Sequence, residues 1–206
     1  ELLNRSALAI VGSRNATPQG VDNARNFAHA LSDAGLTIVS GLALGIDAAA
    51  HEGALAGAGS TLSVVCTGLG RVYPARHRDL AHRSAERGGL VSEVPPGTPP
   101  REKNFPRRNR LISGLAQGVL VVEAALGSGS LITARCAGEQ GREVFAIPGS
   151  IHSPLSKGCH KLIREGAKLV ETAQHVLEEL GMAVHLGPDA GGPMPDSPLL
   201  AALGND

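Results

Sequence analysis

The sequence predicts an α/β protein: an extended Rossmann-like, doubly wound, mostly parallel sheet with helices on both faces. Three observations lead there. Short β-branched runs alternate with longer amphipathic segments. The runs are apolar at consecutive positions, which strands covered on both faces require. Gly/Ser turns follow several of the runs, ahead of a helical pattern.

The strand runs are 8–12, 36–40, 61–65, 89–93, 119–123 and 143–147. Helical patterns fall at 18–34, 46–57, 77–87, 106–116, 130–141, 157–165 and 171–180. Thr17 as N-cap with Pro18 as first helical residue marks the start of the first helix. Residues 1–181 form the expected domain. From 186 onward Gly, Pro and Asp dominate and read as a linker, so 182–206 falls outside that domain, and 199-LLAALGND-206 opens a new apolar pattern. A disordered tail and the onset of a further domain are both compatible with that pattern.

The 206 residues are 42% hydrophobic and 18% charged, enough for a sizeable core. No run reaches the ~18 uninterrupted apolar residues of a membrane span, so no membrane partner is expected. No secretion signal is visible, and Cys66, Cys136 and Cys159 form no CxxC pair. Three buried thiols in a reducing cytoplasm are the expectation. The eight His are scattered without HxH or HxxxH spacing, so no metal is expected. His51 lies one turn beyond Asp47, and a structural hydrogen-bonded pair explains both.

Nineteen Lys+Arg balance nineteen Asp+Glu, but residues 71–110 carry ten of those cations against four acids. Such segregation favours an anionic partner held at one place. The densest part is 101-REKNFPRRNR-110. Pro106 fits the first turn of a helix, which puts arginines where the helix dipole disfavours them. An anionic ligand relieves that conflict. Consecutive helical side chains fan out, so Arg107, Arg108 and Arg110 do not all face one way, and one is free to serve packing or an acid such as Glu93. Phe105 suits base stacking among phosphate contacts, or anchors the helix in the core. Arg71 and Arg76 are candidates for an extended basic track.

Four small-residue turns, 12-GSRNATP-18, 40-SGLALGID-47, 67-TGLG-70 and 127-GSGSLIT-133, belong on one edge of a parallel sheet. Gly lets backbone N–H groups approach a phosphate, and a helix N-terminus adds positive charge. Gly127, Ser128, Gly129 and Ser130 are the candidate phosphate loop. None of the turns is a GxGxxG fingerprint, and no cofactor is expected.

The blocks IVGSR, SGLALGIDAAAH, GLGRVYP, SEVPPGTPP, FPRRNRLISGLAQGVLVVEA, GSGSLITA, VFAIPG and GCHKLIREGAKLV together resemble the DprA/Smf family of DNA-processing proteins of bacterial natural transformation, in order from about residue 6 to 180. The resemblance implies an extended Rossmann core, often preceded by a small helical domain and followed by a winged-helix-like one. On that basis 182–206 is the linker and start of the latter. It further implies a non-catalytic, homodimeric protein that binds and protects single-stranded DNA and helps load the RecA recombinase. Matched position by position, the DNA-binding residues are Ser13, Arg14, Ser40, Gly41, Lys103, Phe105, Arg108, Asn109 and Arg110. Arg107 falls at a variable position. His160, Ile163 and Leu169 match the dimer surface, with ordinary packing the competing reading for the last two.

A nucleotide-processing enzyme is the alternative. The 127–133 block is similar to the PGGxGTxxE signature of phosphoribohydrolases, but Thr133 stands where that signature has its Glu. A neutral hydroxyl does not replace a carboxylate in acid/base work. Glu123 is a conceivable substitute, and an acid paired with a nearby arginine is its simpler explanation.

Overall fold

The structure, a computed structural model, describes residues 2–182. The expectations for 183–206 lie outside the described residues. The elements run β1 (Ala7–Val11), α1 (Pro18–Asp33), β2 (Thr37–Ser40), α2 (Ile46–Ala56), β3 (Ser60–Val65), α3 (Arg78–Arg87), β4 (Gly89–Ser92), α4 (Asn104–Gly114), β5 (Gly118–Val121), α5 (Ser130–Glu139), β6 (Glu143–Ala146), α6 (Lys157–Arg164), β7 (Lys168–Leu169) and α7 (Ala173–Glu179). All seven strands are parallel, in the order β4-β3-β2-β1-β5-β6-β7. The winding reverses between β1 and β5, so the sheet is doubly wound, as expected.

Strand pleating divides the core. Leu8, Ile10, Ile38, Leu120 and Val122 face α1, α2 and α7, where Ala24, Phe27, Leu31, Ala50 and Val176 meet them. Ala7, Ala9, Val11, Val39, Val119 and Val121 face the opposite layer, against Ile112 of α4, Ala134 and Ala137 of α5 and Cys159 of α6. Each central strand therefore buries both faces, which explains the unbroken apolar runs.

Two expectations are corrected here. The two-residue strand β7 has no counterpart in the sequence reading, because two residues give no periodicity to detect. The helix expected from 106 starts at Asn104, two residues earlier. Asn104 Nδ2 donates to the Cys66 carbonyl at 3.1 Å, which anchors that first turn to the end of β3. Pro106 still lies in the first turn. Of the three thiols, Cys66 and Cys159 are buried and Cys136 is partly so. Burial pushes the Cys159 thiol up to about 11, so it stays protonated.

Asp47 and His51 do not bond to each other, contrary to expectation; both hold the β2–α2 turn. Asp47 Oδ2 accepts from the backbone N–H of Gly41 at 3.1 Å and of Ala43 at 3.4 Å. Leu42, between them, has φ of 57°, a conformation disfavoured for a branched side chain. Its N–H donates to His51 Nε2 at 3.3 Å. Thr61 Oγ1 donates to the Ile38 carbonyl and so accepts from His51 Nδ1 at 2.7 Å. This pattern dictates a neutral imidazole with its proton on Nδ1.

Burial, with the charges of Arg108 and His77 acting the same way, lowers the His51 pKa from 6.5 to about 3. The unfolded chain takes up this proton near 6.5 while the native protein refuses it until about 3, so stability falls as pH drops through that window. Burial raises the Asp47 pKa, which acts with the opposite sign. Comparison with a His51→Gln variant cancels that contribution. Lowering the pH from about 7 to about 5 should remove about 2 kcal/mol more stability from the unaltered protein than from the variant, read by denaturant unfolding. Equal losses would contradict a neutral buried His51.

Candidate functional site

In an open doubly wound sheet the winding reversal leaves a crevice outside the carboxyl ends of the two diverging strands. Here those strands are β1 and β5. A cleft of about 530 Å³ lies at this point, walled by the turn after β1 (Gly12, Ser13, Arg14, Asn15), the loop before α5 (Gly127 to Ser130) and the first turns of α4. Parallel crossovers bring the N-terminus of α4 back to the carboxyl edge. That is why the basic stretch and two of the Gly/Ser turns, with Ala43 and Asp47 of a third, reach one cleft.

Backbone hydrogen bonds join the turns. Ser13 N donates to the Glu123 carbonyl at 2.8 Å, and Ile46 N to the Ser13 carbonyl at 3.1 Å. The close approach requires glycine at two places. A Cβ on Gly12 would lie 2.6 Å from Ile46 Cγ1, and one on Gly45, at φ 73°, would lie 2.3 Å from the Ser13 carbonyl oxygen. Gly127 and Gly129 differ: a Cβ there meets nothing within 4 Å, and Gly129 has an ordinary helical φ of −62°. Neither packing nor conformation calls for glycine at Gly129, and the space a side chain would fill there is open. Ser128 Oγ and Ser130 Oγ lie 2.7 Å apart beside it.

Arg108 is 5% exposed and borders the cleft from below. Nη1 donates to the Val64 carbonyl at 2.6 Å, and Nε is buried without a partner. Burial pushes the guanidinium pKa down while Asp47 opposes it, with no ion pair between them within 4.0 Å. Gly41 makes room for this group, since a Cβ there would fall 1.9 Å from Nη1. At the mouth, the Arg14 guanidinium carbon lies 4.9 Å from the centre of the half-buried Phe105 ring. Tyr73 meets the same ring edge-on at 5.9 Å. Phe105 is thus a wall of the cleft and not a core anchor.

The remaining expected residues fall in different places. Asn109 borders the cleft, its Nδ2 donating to the Gly129 carbonyl at 3.3 Å. Lys103 is exposed, just before α4. Ser40 is fully buried and donates to the Ile10 carbonyl at 2.6 Å, so its side chain supports the sheet beneath the cleft. Arg110 pairs with Glu93, which also holds Arg107 at 3.3 Å. The expectation of one arginine on Glu93 becomes two. The 67–70 turn, expected with the other three, does not reach the cleft: its Leu69 and Gly70, with Arg71, line a separate pocket, and Arg76 is exposed outside both. His160 Nε2 lies 2.9 Å from the Gly149 carbonyl, Ile163 packs partly into the core, and Leu169 is 47% exposed on edge strand β7.

Glu123 corrects the expectation of an arginine partner. Its carboxylate accepts from Thr17 N at 3.0 Å and Thr17 Oγ1 at 2.6 Å. Thr17 Oγ1 in turn accepts from Gly20 N, the N-cap bond expected of it. Helix α1 carries no acid in its own first turn, so Glu123 supplies the negative charge its N-terminus favours. Missed altogether were Asp47 as the charge facing Arg108 and Tyr73 as the neighbour of Phe105. The scarcity of aromatics, 2% of the chain, is the one sequence signal that marks Tyr73. Among the described residues no three His, Cys, Asp or Glu side chains converge as a metal site, and no helix is long and apolar enough to cross a membrane.

Fold and cleft define a Rossmann-like protein whose switch-point crevice is built around cations, with the N-terminus of α1 closed off by an internal carboxylate. The chain belongs to the family described as DNA recombination-mediator protein A, whose sequence model matches residues 1–181. It is 53% identical to Protein Smf of Escherichia coli over 91% of this chain, and 49% identical to DNA processing protein DprA of Streptococcus pneumoniae over 87%. The matches span 50% and 63% of those relatives' own lengths. The crystal structure of the Streptococcus pneumoniae protein superposes with a TM-score of 0.81 at 48% identity, over 86% of this chain and 62% of that one. A structure of DNA processing protein A from Helicobacter pylori, described for its single-stranded DNA binding mode, gives 0.80 at 31% identity, over 87% and 82%. The molybdenum cofactor binding protein of Rippkaea orientalis, at 15% identity and 0.62 over 86% and 96%, shares the fold.

Removing the Glu123 carboxylate leaves Thr17 N without its acceptor and the start of α1 without its anion. Glu123→Ala should lower stability by about 1–3 kcal/mol in denaturant unfolding. A change within about 0.5 kcal/mol would show that the cap is dispensable.

Proposed function

We propose that this chain is a non-catalytic, sequence-tolerant single-stranded DNA binding domain, and that the switch-point cleft is where the strand lies. The observation that carries this reading is the Arg14–Phe105 stack at the mouth of a cleft underlain by the buried Arg108. A guanidinium on an aromatic ring offers a flat face to any base and charge to the adjoining phosphate. The open glycines of the 127–130 loop let a backbone phosphate come close. The described binding mode of the Helicobacter pylori relative supports the same ligand.

Commitment of Glu123 to Thr17 counts against the nucleotide-hydrolysing alternative, and Asp47, the carboxylate that does line the cleft, is engaged by the Gly41 and Ala43 N–H groups. Family membership supports the wider role: protecting incoming single strands and helping to load the RecA recombinase in the cytoplasm, as a homodimer. For the dimer we infer the α6–β7 surface, with Leu169 its exposed apolar residue and His160 and Ile163 beside it. An open edge strand carrying an exposed leucine is a surface that pairing covers.

Affinity for a short oligothymidine should fall steeply with salt, with a log–log slope of about 0.7 per phosphate contacted. Arg14→Glu should weaken binding about tenfold or more, whereas Arg142→Glu, at the opposite edge of the sheet ahead of β6, should change it less than about twofold. Fluorescence anisotropy measures both, and equal effects would remove the cleft from consideration. Leu169→Arg should convert the dimer to a monomer by light scattering without lowering the melting temperature by more than a few degrees. A variant that remains dimeric would place the interface elsewhere.

A further inference from the structure

A second pocket, of about 450 Å³, opens between α3 and the segment that follows β3. Its interior is apolar, with Leu42, Val65, Val72 and Leu90 among its walls, and Arg71, Arg78 and His82 also line it. Among the described residues no acid lines this pocket. Neither arginine has an acidic partner within 4.0 Å among the described residues, and nearby Asp79 is held by Arg83. An apolar hollow with unneutralised guanidinium groups fits a ligand that is flat and apolar at one end and anionic at the other.

The pocket and the main cleft are related through chain neighbours that line a small hollow beside the cleft. This hollow, lined by Arg14, Phe105, Tyr73 and Pro74, shares Arg14, Ala43, Phe105 and Arg108 with the cleft. The chain neighbours of Tyr73 and Ala43, namely Val72 and Leu42, line the second pocket. Tyr73 and Leu69 are 44% and 45% exposed along this route, two of the few large apolar side chains left at the surface. An aromatic edge followed by an exposed leucine makes a path along which a nucleotide keeps apolar contact between two cationic stations.

We propose that this pocket is a second nucleotide subsite, which takes one base of the strand already held in the main cleft, with Arg71 and Arg78 on its flanking phosphates. The inference rests on the single-strand reading of that cleft. It assigns the excess charge after β3 to the same ligand as the basic stretch before α4.

The test uses oligothymidines of about 6 and about 20 nucleotides, the first short enough to occupy the main cleft alone. Both are titrated by anisotropy against the unaltered protein and an Arg71→Glu/Arg78→Glu double variant, with thermal melts confirming that the exposed substitutions leave the fold intact. The short oligonucleotide should bind both proteins equally within about twofold. The long one should bind the variant about tenfold more weakly, with a salt slope reduced by about 1.4, the share of two phosphates. A Leu69→Asp variant should show the same dependence on length. Unchanged affinity for the long oligonucleotide would overturn the subsite and give the pocket to another occupant, such as an acidic peptide. Equal weakening at both lengths would also overturn it, because the arginines would then act on the main cleft. Failure of the unaltered protein to bind either length would overturn the single-strand reading itself, and the subsite with it.

Discussion

Arg108 is a full positive charge carried at 5% exposure, with one backbone carbonyl as its direct partner and an unsatisfied Nε. Removing a guanidinium from water costs several kcal/mol, and a single neutral acceptor offsets only part of that. Much of the surrounding architecture follows from accommodating it. Gly41 has no side chain because the guanidinium takes that space. Asp47 is buried beside it, its own pKa raised by burial and held back by Arg108 and by the Gly41 and Ala43 N–H groups. Those bonds, with His51 on Leu42, keep the β2–α2 turn in the conformation that leaves room for Arg108. A stability-optimised core would place an apolar side chain here. A cation kept at this depth acts through a low dielectric on whatever anion enters the cleft above it.

Positive field is available at two helix N-termini of the switch point, and the protein treats them differently. At α1 the Glu123 carboxylate already occupies the favourable position, seated on Thr17 and close against Gly20. A dinucleotide pyrophosphate has no place there. At α5 the approach is left clear, with Gly127 and Gly129 bare and two hydroxyls alongside. An anion entering the cleft therefore meets open positive field on the β5–α5 side, near Arg108 and Asn109. This division separates the cleft from that of dinucleotide enzymes built on the same kind of sheet.

The fold was legible because its signals are local. Consecutive apolar residues such as 119–122 mark a strand buried on both faces, and Thr17-Pro18 marks a helix start from its own chemistry. Convergence of the GSR, GLALGID and GSGSLIT turns also followed from topology alone, whereas the TGLG turn, expected with them, lines a separate pocket. What escaped depends on pairings across space. Glu123 lies 106 positions from Thr17, and no pattern in either segment names the other. Arg108 and Arg110 look equivalent in FPRRNR, but two positions on a helix are about 200° apart, so one goes inward under Gly41 and the other outward to Glu93. Ser40 enters the DNA-binding set through the family resemblance alone. Its hydroxyl instead serves the Ile10 carbonyl, a satisfied core bond invisible to sequence patterns.

The dependence of the cleft on the buried charge of Arg108 is open to one direct measurement: the oligothymidine affinity and melting temperature of an Arg108→Met variant. Methionine fills similar volume without charge, and replacing a buried ion with an apolar side chain is often neutral or stabilising. The account predicts a folded variant with an unchanged or higher melting temperature, and affinity reduced about tenfold or more, the effect of ~1.4 kcal/mol. A folded Arg108→Met protein that binds oligothymidine as tightly as the unaltered one would contradict it.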